Sequence, residues 1–568
     1  MTSVATPPPF EVIWRSGRPL DEGGYPGFGY RVSRDRGMLI ERDVAVMLRD
    51  GVTIYADVFR PEGHDDLPVL VAWGPYGKHF PTFEIYGRFP GCGVKTEWID
   101  PDYTIFEGPD PTHWCPLGYA IVNVDPRGLW HSEGNAMFID ATQEAVDCYD
   151  VIEWAAGLDW SNGKVGMTGV SYLTQIQWQV AALRPPHLAA LNCWEGVSDM
   201  YREFFFHGGI PDTRFPAHWA EGTSFSLGRV EDVLAMMELH PLFDDYWATK
   251  AAELERIVTP AYVVASWSDH SLHTRGTLEG FKRIASEQKW LEVHGRKKWE
   301  HYHRPESVAK QIAFFDHFLK GVDNDVPSWP TVQLEVRERA YVGTYRVESE
   351  WPPARTDYVP LYLDAQVGTL GRTPSGDEAS ARYRASDDAG HAWFDFAVDE
   401  SLDVVGYMKL RLWVEADGSD DMDLFVAIQR FDSAGEFVPF PFYAAMDDGN
   451  VALGWLRVSH RELDEERSQP WQPWHTHARE QLLEPGEAVP VDIEIWPSGT
   501  RFDEGDTLRL VIQGSDVNKY PLPLIASLHE NTRNRGDHVI HAGGRFDSHL
   551  LVPILRDVER SAQAPSTH

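Results

Sequence analysis

Ser171 is the residue from which chemistry can first be read. It stands in GKVGMTGVSYLTQIQWQVAAL, residues 163–183, between a short run of small and apolar residues and a run with Ile176, Val180 and Leu183 at helical spacing. A serine held between glycine on a strand and the start of a helix has the setting of a nucleophile elbow, although Leu173 occupies the place of the second glycine of G-x-S-x-G. Such short matches recur by chance, so the serine needs partners. A Ser–Asp–His order along the chain supplies them. Asp269 ends the apolar run AYVVASWSD, and His294 ends WLEVH, which Gly295 follows. His294 is the expected base, with His301 next and His303 also in the following loop KKWEHYH. Histidine would take the serine proton, and aspartate would fix its tautomer. An oxyanion would need two donors: the backbone N–H of Tyr172, and the hydroxyl of Tyr76 in WGPYG.

These residues need a scaffold that gathers strand ends. Residues 1–39, rich in Pro, Gly and aromatic residues, read as an N-terminal arm. From residue 40, RDVAVMLRDGVTIYADVFRP alternates about Asp50-Gly51 as a hairpin does. LPVLVAWGPYG and YAIVNVD are continuous apolar strands, AVDCYDVIEWAAG is a helix, and LAALNCWEG is a further strand. That alternation predicts an α/β domain with a parallel sheet over 40–196, and parallel strands put Ser171, Asp269 and His294 along one edge. Residues 78–116 read as a long loop insertion. Residues 197–258 break the rhythm with aromatic, helical sequence and read as a cap, after which the sheet resumes over 259–328. Beyond residue 329 alternating strands separated by Asp, Gly and Ser turns predict an all-β sandwich to the C-terminus.

Composition narrows the function. The chain has 568 residues, more than one core can serve, and a formal charge of −36 that argues against nucleic acid and anionic membrane as partners. Four separated cysteines without a CxxC pair argue against zinc, and Cys92 with Cys115 leaves a disulfide open. Asp421 and Asp423 could bind calcium, but alternating acids on a solvated strand face are the simpler reading. The start of the chain carries neither a basic nor an apolar leader region, and no apolar run approaches the ~18–20 residues of a membrane span, so a cytoplasmic location is expected. No cofactor or metal is implied. A homo-oligomer is left open.

Several stretches together resemble the cocaine esterase-like hydrolases grouped with the Xaa-Pro dipeptidyl-peptidases (the CocE/NonD and S15 type). They are DGVTIYADVFRP, GPYGKH, GYAIVNVDPRG, WSNGKVGMTGVSY, SWSD, FFDHFLKG, GWLRVSHREL and DIEIWPSGTRFDEGDTLRLVI, in order over roughly 40–555. The resemblance implies an α/β-hydrolase fold with an inserted helical cap and a C-terminal jelly roll, galactose-binding-like. It also implies Ser171 as nucleophile, Asp269 as acid, and Tyr76 with Tyr172 at the oxyanion. Two departures stand out: Thr174 replaces the last glycine of GxSYxG, and VHGRKKWEHYH replaces GPWxH, leaving the base between His294 and His301. The expected activity is cleavage of a small ester or amide through an acyl-enzyme. Phe204, Phe205, Phe206, Trp219, Trp98 and Trp114 could wall an apolar acyl site or simply fill cores. An Xaa-Pro dipeptidyl-peptidase, an acyltransferase and a non-catalytic binding protein with a decayed hydrolase domain are the rivals.

Overall fold

The computed structural model describes residues 10–79, 86, 87, 89–522 and 524–556. The first nine residues of the expected arm and part of the 78–116 insertion lie outside these.

The N-terminal half is built on one sheet. Its strands are β1 (Arg31–Asp35), β2 (Met38–Met47), β3 (Thr53–Pro61), β4 (Leu67–Trp73), β5 (Ala120–Asp125), β6 (Ser161–Val170), β7 (Leu188–Trp194), β8 (Ala261–Ser266), β9 (Lys289–His294) and β10 (Val332–Arg339). In space they run β1-β2-β3-β5-β4-β6-β7-β8-β9-β10. Pairings up to β3–β5 are antiparallel, and those from β5–β4 to β9–β10 are parallel. Strands β4, β5 and β8, and β6 from Val165 onward, are buried and mostly apolar because they are covered on both faces. Alternation splits their side chains between two cores. Val69, Val71, Val165, Met167, Val263 and Ala265 meet Cys148, Ile152, Ile176 and Val180 from the helices α1 (Glu144–Ala156) and α2 (Tyr172–Ala182). Leu70, Val170, Tyr262 and Val264 face the other way, toward Phe314 and Phe315.

Between β7 and β8 the chain leaves the sheet. It forms a π-turn at Tyr201–Phe205, a short hairpin, and helices at Phe215–Gly222, Val233–Leu239 and Asp245–Ala248. The aromatic residues here divide. Phe205 and Phe206 pack on Trp247, inside a core. Phe204 packs on Trp219, which stacks on Tyr172. Trp114 packs on Tyr119 and Phe315, so it fills a core as well.

The C-terminal half is mostly β, and two antiparallel layers share one apolar core. One layer joins Leu402–Asp417 to Val489–Phe502, Asp537–Ala542 and His549–Leu555. The other joins Asp423–Phe431 to Ala452–Arg457 and Thr507–Gln513, which also pairs with His391–Ala397. Leu410, Leu412 and Ile493 of the first meet Val426, Leu510 and Ile512 of the second. Strand β10 touches both halves, parallel to β9 and bridged at Arg337 to Thr500.

Asp421 and Asp423 correct the reading from alternation. Both are buried, not solvated: Arg457 clamps Asp423 at 2.7 and 2.8 Å, and Asp421 accepts from Ser459 at 2.7 Å and Arg533 at 3.0 Å. Among the described residues no group of three or more His, Cys, Asp or Glu is placed to hold a metal ion. All four cysteines, Cys92 and Cys115 included, are free and buried. No helix among the described residues is long and apolar enough to cross a membrane.

Candidate active site

Ser171 sits between β6 and α2 with φ 60° and ψ −118°, a backbone conformation that a non-glycine residue adopts only where surrounding contacts impose it. Gly169 makes the turn possible: its φ is +146°, and a Cβ there would lie 2.5 Å from Leu173 and 3.0 Å from the Glu107 carbonyl. Thr174 is a polar tie, not a defect in the motif. Its hydroxyl lies 2.9 Å from the carbonyls of both Gly169 and Trp194 and accepts the Trp194 N–H at 2.7 Å, fastening α2 to the ends of β6 and β7.

Ser171 Oγ lies 3.0 Å from Nε2 of His273, and the opposite nitrogen, Nδ1, hydrogen-bonds Asp269 Oδ2. His273 was not among the expected bases. It reaches the serine because the chain after β8 coils back on itself. Ser271 takes φ +69°, and the amides of Leu272, His273 and Thr274 converge on the Asp269 carbonyl at 3.2, 3.0 and 3.2 Å. That one turn puts the side chain at i+4 over the carboxylate at i and leads into α3 (Thr274–Arg283). The Asp-x-x-x-His spacing in SDHSLHTRG was the available signal. His270, the other histidine of that stretch, faces away. Its Nδ1 accepts from Leu453 N–H and its Nε2 donates to the Pro497 carbonyl, each at 3.0 Å.

His294 is therefore corrected as the partner of Ser171, and His301 with it. The end of β9 lies three strands from β6, where strands are ~4.8 Å apart, and the chain turns almost at once into α4 (Lys298–His303). His294 is fully buried, with Nε2 3.1 Å from Glu195 Oε1 and Nδ1 accepting from Arg296 N–H; its ring lies 3.8 Å from that of His301. His301 in turn pairs with Glu292 at 3.1 Å, and His303 with the Tyr86 hydroxyl at 2.8 Å.

In place of a histidine, the loop after β9 brings Lys298. Its Nζ, almost fully buried, lies 3.0 Å from Asp269 Oδ2 and 3.1 Å from His273 Nδ1. Burial favours a neutral Asp269, but Lys298 and His273 overrule it and hold the carboxyl well below its ordinary range. Burial and then the Lys298 charge lower His273 to about 4, against the opposing pull of Asp269.

Tyr76 is partly buried against Phe106 and Tyr172, and burial followed by the Glu107 charge pushes its hydroxyl well above 10. Glu107 accepts from Trp299 Nε1 at 2.8 Å and is raised to about 8, chiefly by burial. Tyr172 opens α2, where a first-turn N–H has no partner four residues back. Its hydroxyl is held by both oxygens of Glu144 at 2.8 Å, so only its backbone is offered to the site.

Comparison with known proteins follows these two halves. Residues 50–229 match the X-Pro dipeptidyl-peptidase (S15) family, and residues 324–551 match the X-Pro dipeptidyl-peptidase C-terminal non-catalytic domain. A crystal structure of a CocE/NonD family hydrolase from Staphylococcus aureus is 40% identical, with a TM-score of 0.90 and alignment over 98% of this chain and 100% of that one. The chain belongs to the CocE/NonD hydrolase family. It is a serine hydrolase. Cocaine esterase of a Rhodococcus strain is 25% identical over 91% of this CocE/NonD hydrolase and 99% of its own length. An α-amino acid ester hydrolase structure, 15% identical with a TM-score of 0.68, shares the fold over 93% of the chain.

Proposed function

We propose that this hydrolase cleaves an ester of a small carboxylic acid through an acyl-enzyme, with Ser171, His273 and Asp269 as the triad. The 3.0 Å contact of Ser171 Oγ with His273 Nε2, with Asp269 behind the ring, carries the proposal. Nδ1–H donates to Asp269, so Nε2 is free to accept. Ser171 Oγ attacks the acyl carbon and passes its proton to Nε2, and the imidazolium returns it to the leaving group. Water then repeats the sequence and releases the acid. The Tyr172 N–H and Tyr76 hydroxyl donate to the oxyanion. The positive φ of Ser171 is the strained conformation expected of a nucleophile elbow, which supports this reading. Amide cleavage, including Xaa-Pro dipeptidyl release, and acyl transfer use the same atoms; ester cleavage is favoured by the likeness along the whole chain to cocaine esterase. We read the sheet as an α/β-hydrolase fold with a cap over 197–258, and the β half from residue 329 as a jelly roll beside the site. The partner is a small molecule, and the charge of −36 disfavours nucleic acid and anionic lipid.

A fluorophosphonate probe tests the nucleophile. The folded protein is expected to be labelled and Ser171→Ala to remain unlabelled. Failure of the folded wild type to react would overturn the reading. Turnover of p-nitrophenyl esters against the matching anilides then separates esterase from amidase.

A further inference from the structure

The loop after β9, where a base was expected, places an ammonium on the acid–base pair instead. We propose that Lys298 is a positioning residue for His273: it clamps the Asp269 carboxylate against Nδ1 and keeps the imidazole in its neutral, proton-accepting form into acidic solution. The inference rests on the reading of Ser171 as nucleophile and His273 as base.

Geometry carries it. Lys298 Nζ touches Asp269 Oδ2 and His273 Nδ1 at once, at 3.0 and 3.1 Å, and comes from a different element than either, the start of α4. Asp269 is fully buried, and a buried carboxylate with no cation would tend to take up a proton and cease to accept from Nδ1. Lys298 removes that tendency. It also places a fixed positive charge at the edge of the ring. Protonating His273 would then set a second cation about one hydrogen-bond length away, which the carboxylate can only partly offset.

The neighbouring groups do not duplicate this effect. From the loop after β7, Glu195 Oε2 accepts from Ser266 at 2.6 Å, and its carboxyl is raised to about 8 by burial and then by Asp269. From the stretch before β5, Glu107 is likewise raised to about 8. From the β half, Tyr443 brings its ring 5.8 Å from Lys298 Nζ, and burial with the charges of Asp212 and Asp269 pushes its hydroxyl well above 10. On the elbow, Ser171 is neutral. In mildly acidic solution the pair therefore faces Lys298 as its cation, with Glu195 and Glu107 protonated. The arrangement trades strength of the base for its availability at low pH.

The pH dependence of Ser171 labelling by a fluorophosphonate tests the clamp without knowledge of the substrate. In the wild type, half-maximal rate is expected near pH 4, where His273 gains its proton. In Lys298→Met that half-point should move up by ~1–3 pH units, as loss of a nearby like charge does. Lys298→Arg keeps the charge, and its half-point should stay within ~0.5 pH unit of the wild type. A Lys298→Met profile scaled down equally at every pH, with its half-point unmoved, would overturn the proposal. So would a Lys298→Arg half-point that moves as far as that of Lys298→Met. Should Lys298→Met not fold, the wild-type profile still decides: a half-point near the ordinary histidine value of 6.5 overturns the clamp. Failure of the underlying reading looks different, since the wild type would then not be labelled at Ser171 at any pH.

Discussion

Two histidines in contact range of carboxylates make opposite predictions at the residue scale. His273→Gln removes the group at 3.0 Å from Ser171 Oγ and is expected to lower ester turnover by about 10²–10⁴-fold. His294→Gln leaves that contact intact, so kcat should stay within about tenfold of wild type while the melting temperature falls, because a fully buried ring beside Glu195 and His301 is disturbed. Parallel p-nitrophenyl ester kinetics and thermal melts distinguish the two. Equal loss from both variants would return His294 to the site. Tyr76→Phe isolates the oxyanion donor. It deletes one hydroxyl from the Ser171 pocket and keeps the ring contacts with Phe106 and Tyr172. A fall in kcat of about 10²–10³-fold with little change in KM is expected if that hydroxyl acts in the transition state.

At the scale of elements, the elbow works because β6, α2 and β7 are tied at one point. Thr174 replaces a glycine of the family motif and turns the freed position into a cross-link, with contacts to Gly169, Trp194 and the Trp194 amide. Thr174→Val keeps the shape and leaves the buried Trp194 N–H without its acceptor, which costs about 1–3 kcal/mol. Urea unfolding measures that loss. The turn after β8 is the second decisive element. Three amides converging on the Asp269 carbonyl fold His273 back over the Asp269 carboxylate within one turn, so the proposed base and acid are local to each other. The loop after β9 is thereby released from supplying the base, and it contributes Lys298 instead.

At the scale of the whole molecule, the β half buttresses the helix that follows His273. Arg275, two residues on, donates to Glu494 of the β half at 3.0 Å and to Glu203 at 2.7 Å, and all but a few per cent of its side chain is buried. Trp267 packs against Gly499, where a Cβ would lie 2.8 Å from the indole, and Arg337 donates to Ser498, Thr500 and the Val451 carbonyl. Arg275→Met leaves the buried Glu203 and the partly buried Glu494 without this cation and is expected to cost about 3–5 kcal/mol in equilibrium unfolding. The pH dependence of stability follows from burial of many titratable groups. Glu107 and Glu195 are raised to about 8, and Glu144 and Glu203 to about 7, from an ordinary 4.5, each first by burial. They favour the folded state in acid, and that contribution is lost as pH rises from about 4.5 to 8. His270 and His303 are lowered to about 3, and His273 and His294 to about 4, from 6.5, also first by burial. The unfolded chain protonates these histidines first, so their effect is a loss of stability as pH falls from 6.5. The trends oppose between about 4.5 and 6.5 and act alone outside it. The melting temperature is expected to peak in that interval and to be lower at pH 8.5 and at pH 3.5; a steady rise to pH 8.5 would contradict the assignment.

Sequence alone determined the parallel sheet, because strands covered on both faces must be continuously apolar, as in Val69–Val71 and Val263–Ala265. It also determined the serine at an elbow, since glycine at 169 beside Ser171 is a local requirement of the turn. The motifs that carry the family likeness are local in the same way. The base was not legible. His270, His273, His294, His301 and His303 are all histidines near strand ends, and their roles differ only in what packs around them. His270 is taken up by the backbone of the β half, His294 packs beside Glu195 and the His301 ring, His301 bonds Glu292, and His303 bonds Tyr86. His273 is left facing Ser171 because a single turn at Ser271 folds it over Asp269. Asp421 and Asp423 failed to be read for the same reason: alternation gives the face of a strand, but only the arginines brought from residues 457 and 533 decide that this face is buried and paired. Periodicity fixes which side of an element a residue occupies, whereas the partner that gives it a function arrives from a distant part of the chain.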